Sequence, residues 1–164
     1  MIEIAPYTAP YREGVATLIL GIQRDEFGFQ VTYDDQPDLK EIENFYQSGA
    51  GGFWLALEDR RVVGTIGLRD IGDDGALRKM FVASERRGAE HRVGQRLLDT
   101  LLAHARARRL SAVWLGTTEK FLAAHRFYEK NGFERVAPET LPPSFPRMRV
   151  DTRFYRLRLE DPAP

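Results

Sequence analysis

The sequence predicts one α+β domain in which a mixed, mostly antiparallel sheet carries helices on both faces. Residues 76–136 read as strand, basic glycine-bearing loop, amphipathic helix, strand, second helix and a closing Gly132-Phe133; the first strand, helix and second strand form a right-handed βαβ unit with parallel strands. Upstream, two turn signals separate apolar runs and predict an antiparallel meander. The 164 residues, 43% hydrophobic and 29% charged, suit one sizeable core, so a single domain is expected over 1–164.

Taken in order, residues 1–7 alternate as a first strand. Thr8, Ala9 and Pro10 then open a helix, with Thr8 or Ala9 near its N-cap and Val15, Leu18, Ile19 and Ile22 as the buried stripe. Residues 23–38 form a polar connection, and Asp38 is placed to cap a second helix whose apolar side is Leu39, Ile42, Phe45 and Tyr46. Ser48-Gly49-Ala50-Gly51-Gly52 ends that helix. The apolar runs 53–57 and 62–68 are joined by Glu58-Asp59-Arg60-Arg61, a hairpin signal, and Gly72-Asp73-Asp74-Gly75 is the next tight turn. The strand at 76–84 stops at Ser84-Glu85-Arg86-Arg87-Gly88. Val93, Leu97, Leu98, Leu101, Leu102 and Ala105 then recur on one face of a helix, and residues 111–116 form a short buried strand. Thr117 or Thr118 caps a helix carrying Phe121, Ala124, Phe127 and Tyr128, with Asn131-Gly132 as its left-handed stop. Residues 133–136 and 151–159 are the last strands, and Pro138, Pro142, Pro143 and Pro146 keep the segment between them irregular.

The formal net charge is 0, so no overall electrostatic case exists for nucleic acid or an anionic membrane as partner. Cysteine is absent, which excludes disulfides, thiolate nucleophiles and cysteine-ligated metal. His91, His104 and His125 are scattered, so no metal site is expected. No apolar run reaches the roughly 18 residues of a membrane span, and Met1-Ile2-Glu3-Ile4 lacks the pattern of a signal peptide. A cytoplasmic protein is expected.

The basic loop is the place to look for chemistry. Arg86, Arg87, His91, Arg92 and Arg96 surround it, Gly88 begins it and Gly94 lies at the helix start. Unsatisfied N–H groups at a helix N-terminus favour an anion, and glycine lets a phosphate approach the backbone. Composition alone leaves a solvated basic loop equally open. No Gly-Lys-Ser/Thr follows, which excludes a Walker A loop, and the antiparallel strands upstream do not fit a Rossmann half.

Arg87-Gly88, Val93-Gly94-Gln95-Arg96-Leu97-Leu98 and Ala124-His125-Arg126-Phe127-Tyr128-Glu129-Lys130-Asn131-Gly132-Phe133 together resemble the acetyl-CoA-binding core of the GNAT N-acetyltransferase superfamily. The resemblance follows the whole chain in element order and is specific over 76–136. It implies that strands 76–84 and 112–117 splay apart, with the pantetheine arm paired to the first like an added strand. Backbone at Met80, Phe81 and Val82 would hold the arm and polarise the thioester carbonyl. The pyrophosphate would rest along Arg87, Gly88, Ala89, Arg92, Val93, Gly94 and Gln95. Two features depart from the family pattern. The loop is two residues longer, with Arg92 where an inner glycine is usual; left-handed backbone costs a non-glycine residue about 1 kcal/mol or more, so the loop is expected to re-route around it. Phe121 stands where many members have an asparagine that contacts the cofactor arm.

The resemblance implies direct transfer of acetyl from acetyl-CoA to a primary amine of a small molecule or a peptide, which the absence of a relay thiol suits. It makes Tyr128 a cofactor contact and the group that protonates the departing thiolate; its position alone reads as the polar tip of a core stripe. Glu26, in the connection that borders the acceptor in this family, is the candidate base, or else a solvent-facing carboxylate. His125 reads as a helix-surface residue. Asp25, Glu26, Asp34 and Asp35 favour a cationic acceptor, Arg147 and Arg149 a carboxylate, and Trp54, Phe27, Phe29, Tyr33 and Phe145 are candidates for an apolar acceptor wall. A non-catalytic acyl-CoA-binding domain is the alternative, and a homodimer is an open expectation.

Overall fold

In a computed structural model that describes residues 1–88 and 90–159, seven strands form one sheet. They are β1 (Ile2–Pro6), β2 (Gly52–Glu58), β3 (Arg61–Asp70), β4 (Gly75–Val82), β5 (Ala112–Thr117), β6 (Glu134–Val136) and β7 (Arg153–Arg158). Their order is β1-β2-β3-β4-β5-β7-β6, and every neighbouring pair is antiparallel except β4 and β5. The expected mixed sheet is therefore present, with its one parallel pair where the βαβ unit requires it.

Helices cover both faces. On one lie α1 (Arg12–Gly21), which runs on as a π turn over Ile22–Glu26, and two short turns, α2 (Pro37–Lys40) and α3 (Ile42–Phe45). Their apolar residues close on Tyr7, Phe53, Leu55 and Leu57 around Val15, Ile19, Leu39, Ile42 and Tyr46. On the other lie α4 (Val93–Ala107) and α5 (Leu122–Lys130). All six apolar residues of the predicted α4 stripe are buried, and each such leucine contributes on the order of 2 kcal/mol of burial.

Two local devices shape the meander. The β2–β3 turn has Asp59 and Arg60 at φ 49° and 65°, the two positive-φ positions of a tight hairpin whose twist matches its strands, filled here without glycine. In β4, Lys79 and Met80 together oppose Ile66, since Thr65 pairs with Phe81 and Gly67 with Arg78. This bulge puts Lys79 at φ 54°, and Thr65 Oγ1 fixes it by donating to the Lys79 carbonyl at 2.7 Å.

Several expected details are corrected. Asp38 does not cap a helix; it is buried, accepts the Tyr46 hydroxyl at 2.6 Å and stands 3.6 Å from Lys79 Nζ. The helix expected there breaks at Glu41, whose φ of −135° is not helical. Neither Thr117 nor Thr118 caps α5, because Phe121 is its N-cap; Thr118 Oγ1 accepts the Lys120 N–H at 3.1 Å and so closes the turn before it. That late start turns His125 inward, contrary to the surface position expected. It is 3% exposed with Nε2 2.8 Å from the Thr118 carbonyl, so Nε2 carries the proton.

Candidate active site

The parallel pair is joined only at Gly75 with Val113 and Ala76 with Trp114. Beyond those residues the strands part, and β4 turns alternate backbone groups towards a gap without a partner strand, the Val82 carbonyl among them being taken by Arg87. At the head of that gap stands the N-terminus of α4. Its first internal bond runs from the Arg96 N–H to the Arg92 carbonyl at 2.9 Å, which leaves the N–H groups of Val93, Gly94 and Gln95 without a partner among the described residues.

A Cβ at Gly94 would meet Met80 Cε at 3.6 Å and nothing nearer, and one at Gly88 would meet no atom within 4 Å. Gly88 has φ 104°, a conformation that suits glycine. Arg92 corrects the expected re-routing: it takes φ 50° and ψ 36° at the N-cap, so the longer loop accepts the left-handed turn that a glycine would make more cheaply. Open helix donors, a glycine cradle and an arginine fit a diphosphate, and the unpaired β4 edge fits an amide-bearing arm. Ala89 lies outside the described residues.

Arg87 is where it was expected, but it is engaged. Its Nε donates to the Val82 carbonyl at 2.8 Å, while Nη1 and Nη2 donate to Glu26 Oε1 and Oε2 at 2.5 and 2.9 Å. Glu26, the candidate base, thus has both oxygens on a guanidinium. Phe121 is also occupied: its ring centroid is 4.4 Å from that of Phe27 and 6.1 Å from that of Phe29. Residues 26–29 therefore fasten to the segment after β4 through Glu26 and to the segment after β5 through Phe27 and Phe29. The Gln95 side chain donates to Asp99 Oδ1 and Asn131 Oδ1 at 2.8 Å and ties α4 to the end of α5.

Tyr128 reaches the gap from α5. Its hydroxyl donates to Met80 Sδ at 3.6 Å, placing a phenol against β4. Burial alone raises its pKa well above 10, because no charge nearby favours the phenolate. Phe81 packs on the opposite side of β4, towards α1.

Two polar groupings had no signal in local pattern. Lys79 is buried at the bulge; its ammonium donates to Gln36 Oε1 at 2.5 Å, Gln36 and Gln23 exchange amide bonds at 2.9 and 3.2 Å, and burial lowers the lysine pKa. Asp151, in the proline-rich segment, accepts the Met148 N–H at 2.8 Å, and burial raises its pKa. Of the proposed apolar wall, Trp54 is core, edge-on to His104 at 4.9 Å, and Phe145 stands edge-on to Phe154 at 6.2 Å.

Comparison with known proteins places this geometry. The model of the Acetyltransferase (GNAT) family matches residues 18–133. The chain is similar to a GNAT-family acetyltransferase of Staphylococcus aureus Mu50, whose crystal structure superposes with a TM-score of 0.93 at 40% identity, covering 98% of this chain and 100% of that one. N-acetylaspartate synthetase of Danio rerio is 35% identical over 127 residues, covering 74% of this chain and 44% of that protein. The chain spans less than half the length of that relative. A PaiA N-acetyltransferase of Thermoplasma acidophilum, in complex with coenzyme A, shares the fold at 14% identity and a TM-score of 0.72, covering 97% and 99% of the two chains.

Proposed function

Since the chain belongs to the GNAT acetyltransferase family, we propose that it moves an acetyl group from acetyl-CoA directly to a primary amine, of a small molecule or a peptide. The observation that carries this is the parting of β4 from β5 after Ala76 and Trp114 beside the open donors of α4. Acetyl-CoA supplies an activated acyl carbon and a thiol leaving group.

In this reading the Val93, Gly94 and Gln95 N–H groups and Arg92 hold the diphosphate, with Arg87 joining them when it leaves Glu26. Backbone at Met80 and Val82, which alternate with the β3-facing Phe81, holds the arm and donates to the acyl oxygen. Tyr128, kept protonated by burial, donates a hydrogen bond towards the departing sulfur, a donor role that a raised pKa favours over outright proton release. The relatives named N-acetylaspartate synthetase make an amino acid the first acceptor to try. A non-catalytic acyl-CoA-binding domain is the second reading, favoured by the Glu26–Arg87 pair, which leaves the candidate base engaged. Thiol release from acetyl-CoA across an amine panel, beside calorimetry with CoA, tests both: affinity with turnover supports the transferase, and affinity without turnover supports the binding domain.

A further inference from the structure

We propose that Arg78 and Asp151 form the acceptor end of this site and that the amine it takes carries a carboxylate, as an amino acid does. The inference rests on N-acetyl transfer at the β4–β5 gap and names the acceptor for it. Carrying the parallel register two residues beyond Ala76 and Trp114 sets Arg78 level with Gly116 across the parting strands. Asp151 lies on that glycine, since a Cβ added at Gly116 would meet its Oδ2 at 2.5 Å. Any larger residue there would displace the carboxylate.

Arg78 spans the floor of this end. Its guanidinium carbon stands 5.4 Å from the centroid of the Phe45 ring, and Nη2 reaches Met148 Sδ at 3.2 Å, in the turn that the Asp151 N–H closes on the Met148 carbonyl at 3.1 Å. Arg147, over the Phe154 ring at 5.0 Å, belongs to the same loop. Among the described residues neither arginine has a carboxylate in ion-pair contact, although the field of both reaches Asp151. Two guanidinium groups and one carboxylate leave this end net positive. An acceptor with a carboxylate for the arginines and an ammonium for Asp151 matches that arrangement.

Asp151 also has the state a base needs. Oδ2 takes the single Met148 N–H, Oδ1 has no partner among the described residues, and burial makes the carboxylate more basic than in water, against the opposing pull of that bond and of Arg78 and Arg147. The ammonium gives one proton to Asp151, and the freed lone pair forms the N–C bond as the C–S bond breaks with its electron pair on sulfur. The second nitrogen proton goes to that sulfur, and Asp151 returns the first to water.

The test compares L-aspartate, L-alanine and L-alaninamide in thiol release from acetyl-CoA, and measures their binding to the free chain by calorimetry. The amino acids are expected to exceed alaninamide about tenfold or more in kcat/KM, and Arg78→Gln to abolish that preference and the calorimetric binding. Asp151→Asn is expected to lower kcat about a hundredfold at unchanged acetyl-CoA affinity, and Gly116→Ala to do likewise by unseating Asp151, circular dichroism verifying the fold of each. Equal turnover of alanine and alaninamide overturns the acceptor class while leaving N-acetyl transfer standing. Wild-type kcat in Asp151→Asn overturns the base. Acetyl-CoA binding without thiol release to any amine overturns the transfer reading, and this inference with it.

Discussion

Arg87 and Glu26, 61 residues apart in sequence, meet as a two-pronged ion pair in which each guanidinium Nη faces its own carboxylate oxygen, at 2.5 and 2.9 Å. The same guanidinium is the one placed to meet a diphosphate, so carboxylate and cofactor compete for it. Arg87→Ala is expected to weaken CoA binding about tenfold, the loss of a charge-assisted contact, whereas Glu26→Gln tightens it. Calorimetry with CoA checks the opposite signs; equal weakening by both would mean that the pair works as one clasp.

Tyr128→Phe removes a hydroxyl whose one partner among the described residues is a thioether at 3.6 Å, so the fold should lose less than about 1 kcal/mol. The reaction should suffer more, with kcat falling about tenfold or further at nearly constant affinity for CoA. Because burial raises the phenol above 10, activity should show no alkaline limb from this group below that pH. Steady-state kinetics against pH, beside calorimetry, separate the two effects.

At the end of α4, Arg109 adopts φ 59° while the Leu110 N–H bonds back to the Ala105 carbonyl at 3.1 Å, a helix-terminating turn that favours glycine. Arg109→Gly should therefore stabilise the protein by about 1 kcal/mol, seen as a higher urea midpoint.

Asp70 accepts the Ala50 and Gly72 N–H groups at 2.8 and 2.9 Å, and these bonds hold its carboxyl below the usual range. A depressed folded pKa contributes stability above the unfolded value of about 3.9, and that contribution is lost as pH falls through the folded value. Asp70→Asn should cost about 1–2 kcal/mol at pH 7, with the gap from wild type closing in acid. Urea unfolding at neutral pH and below about pH 4 checks the convergence.

Periodic signals were readable where burial is one-sided and local. The α4 stripe, the Glu58 to Arg61 hairpin and the parallel placement of β4 and β5 all follow from spacing and chain connectivity. Legibility failed where a distant partner decides. Asp38 reads as a cap until Tyr46 and Lys79 close on it, and His125 reads as exposed until α5 starts at Leu122. Phe121 reads as a lost asparagine, yet its place is set by Phe27 and Phe29 some ninety positions upstream. Asp151 carries no motif at all. Its environment comes from Gly116 and Arg78, which only the folded sheet brings near.

The π turn at Ile22–Glu26 sets where Glu26 and Phe27 point. Such a turn absorbs one residue more than an α-helical one, and if the same residues were wound as regular α-helix the downstream chain would rotate by about 100° and advance about 1.5 Å. Glu26 would swing away from Arg87, and Phe27 from Phe121, with no side chain altered. Whether the connection spans the two strand ends is thus a matter of helical phase, which the extra residue of the π turn sets.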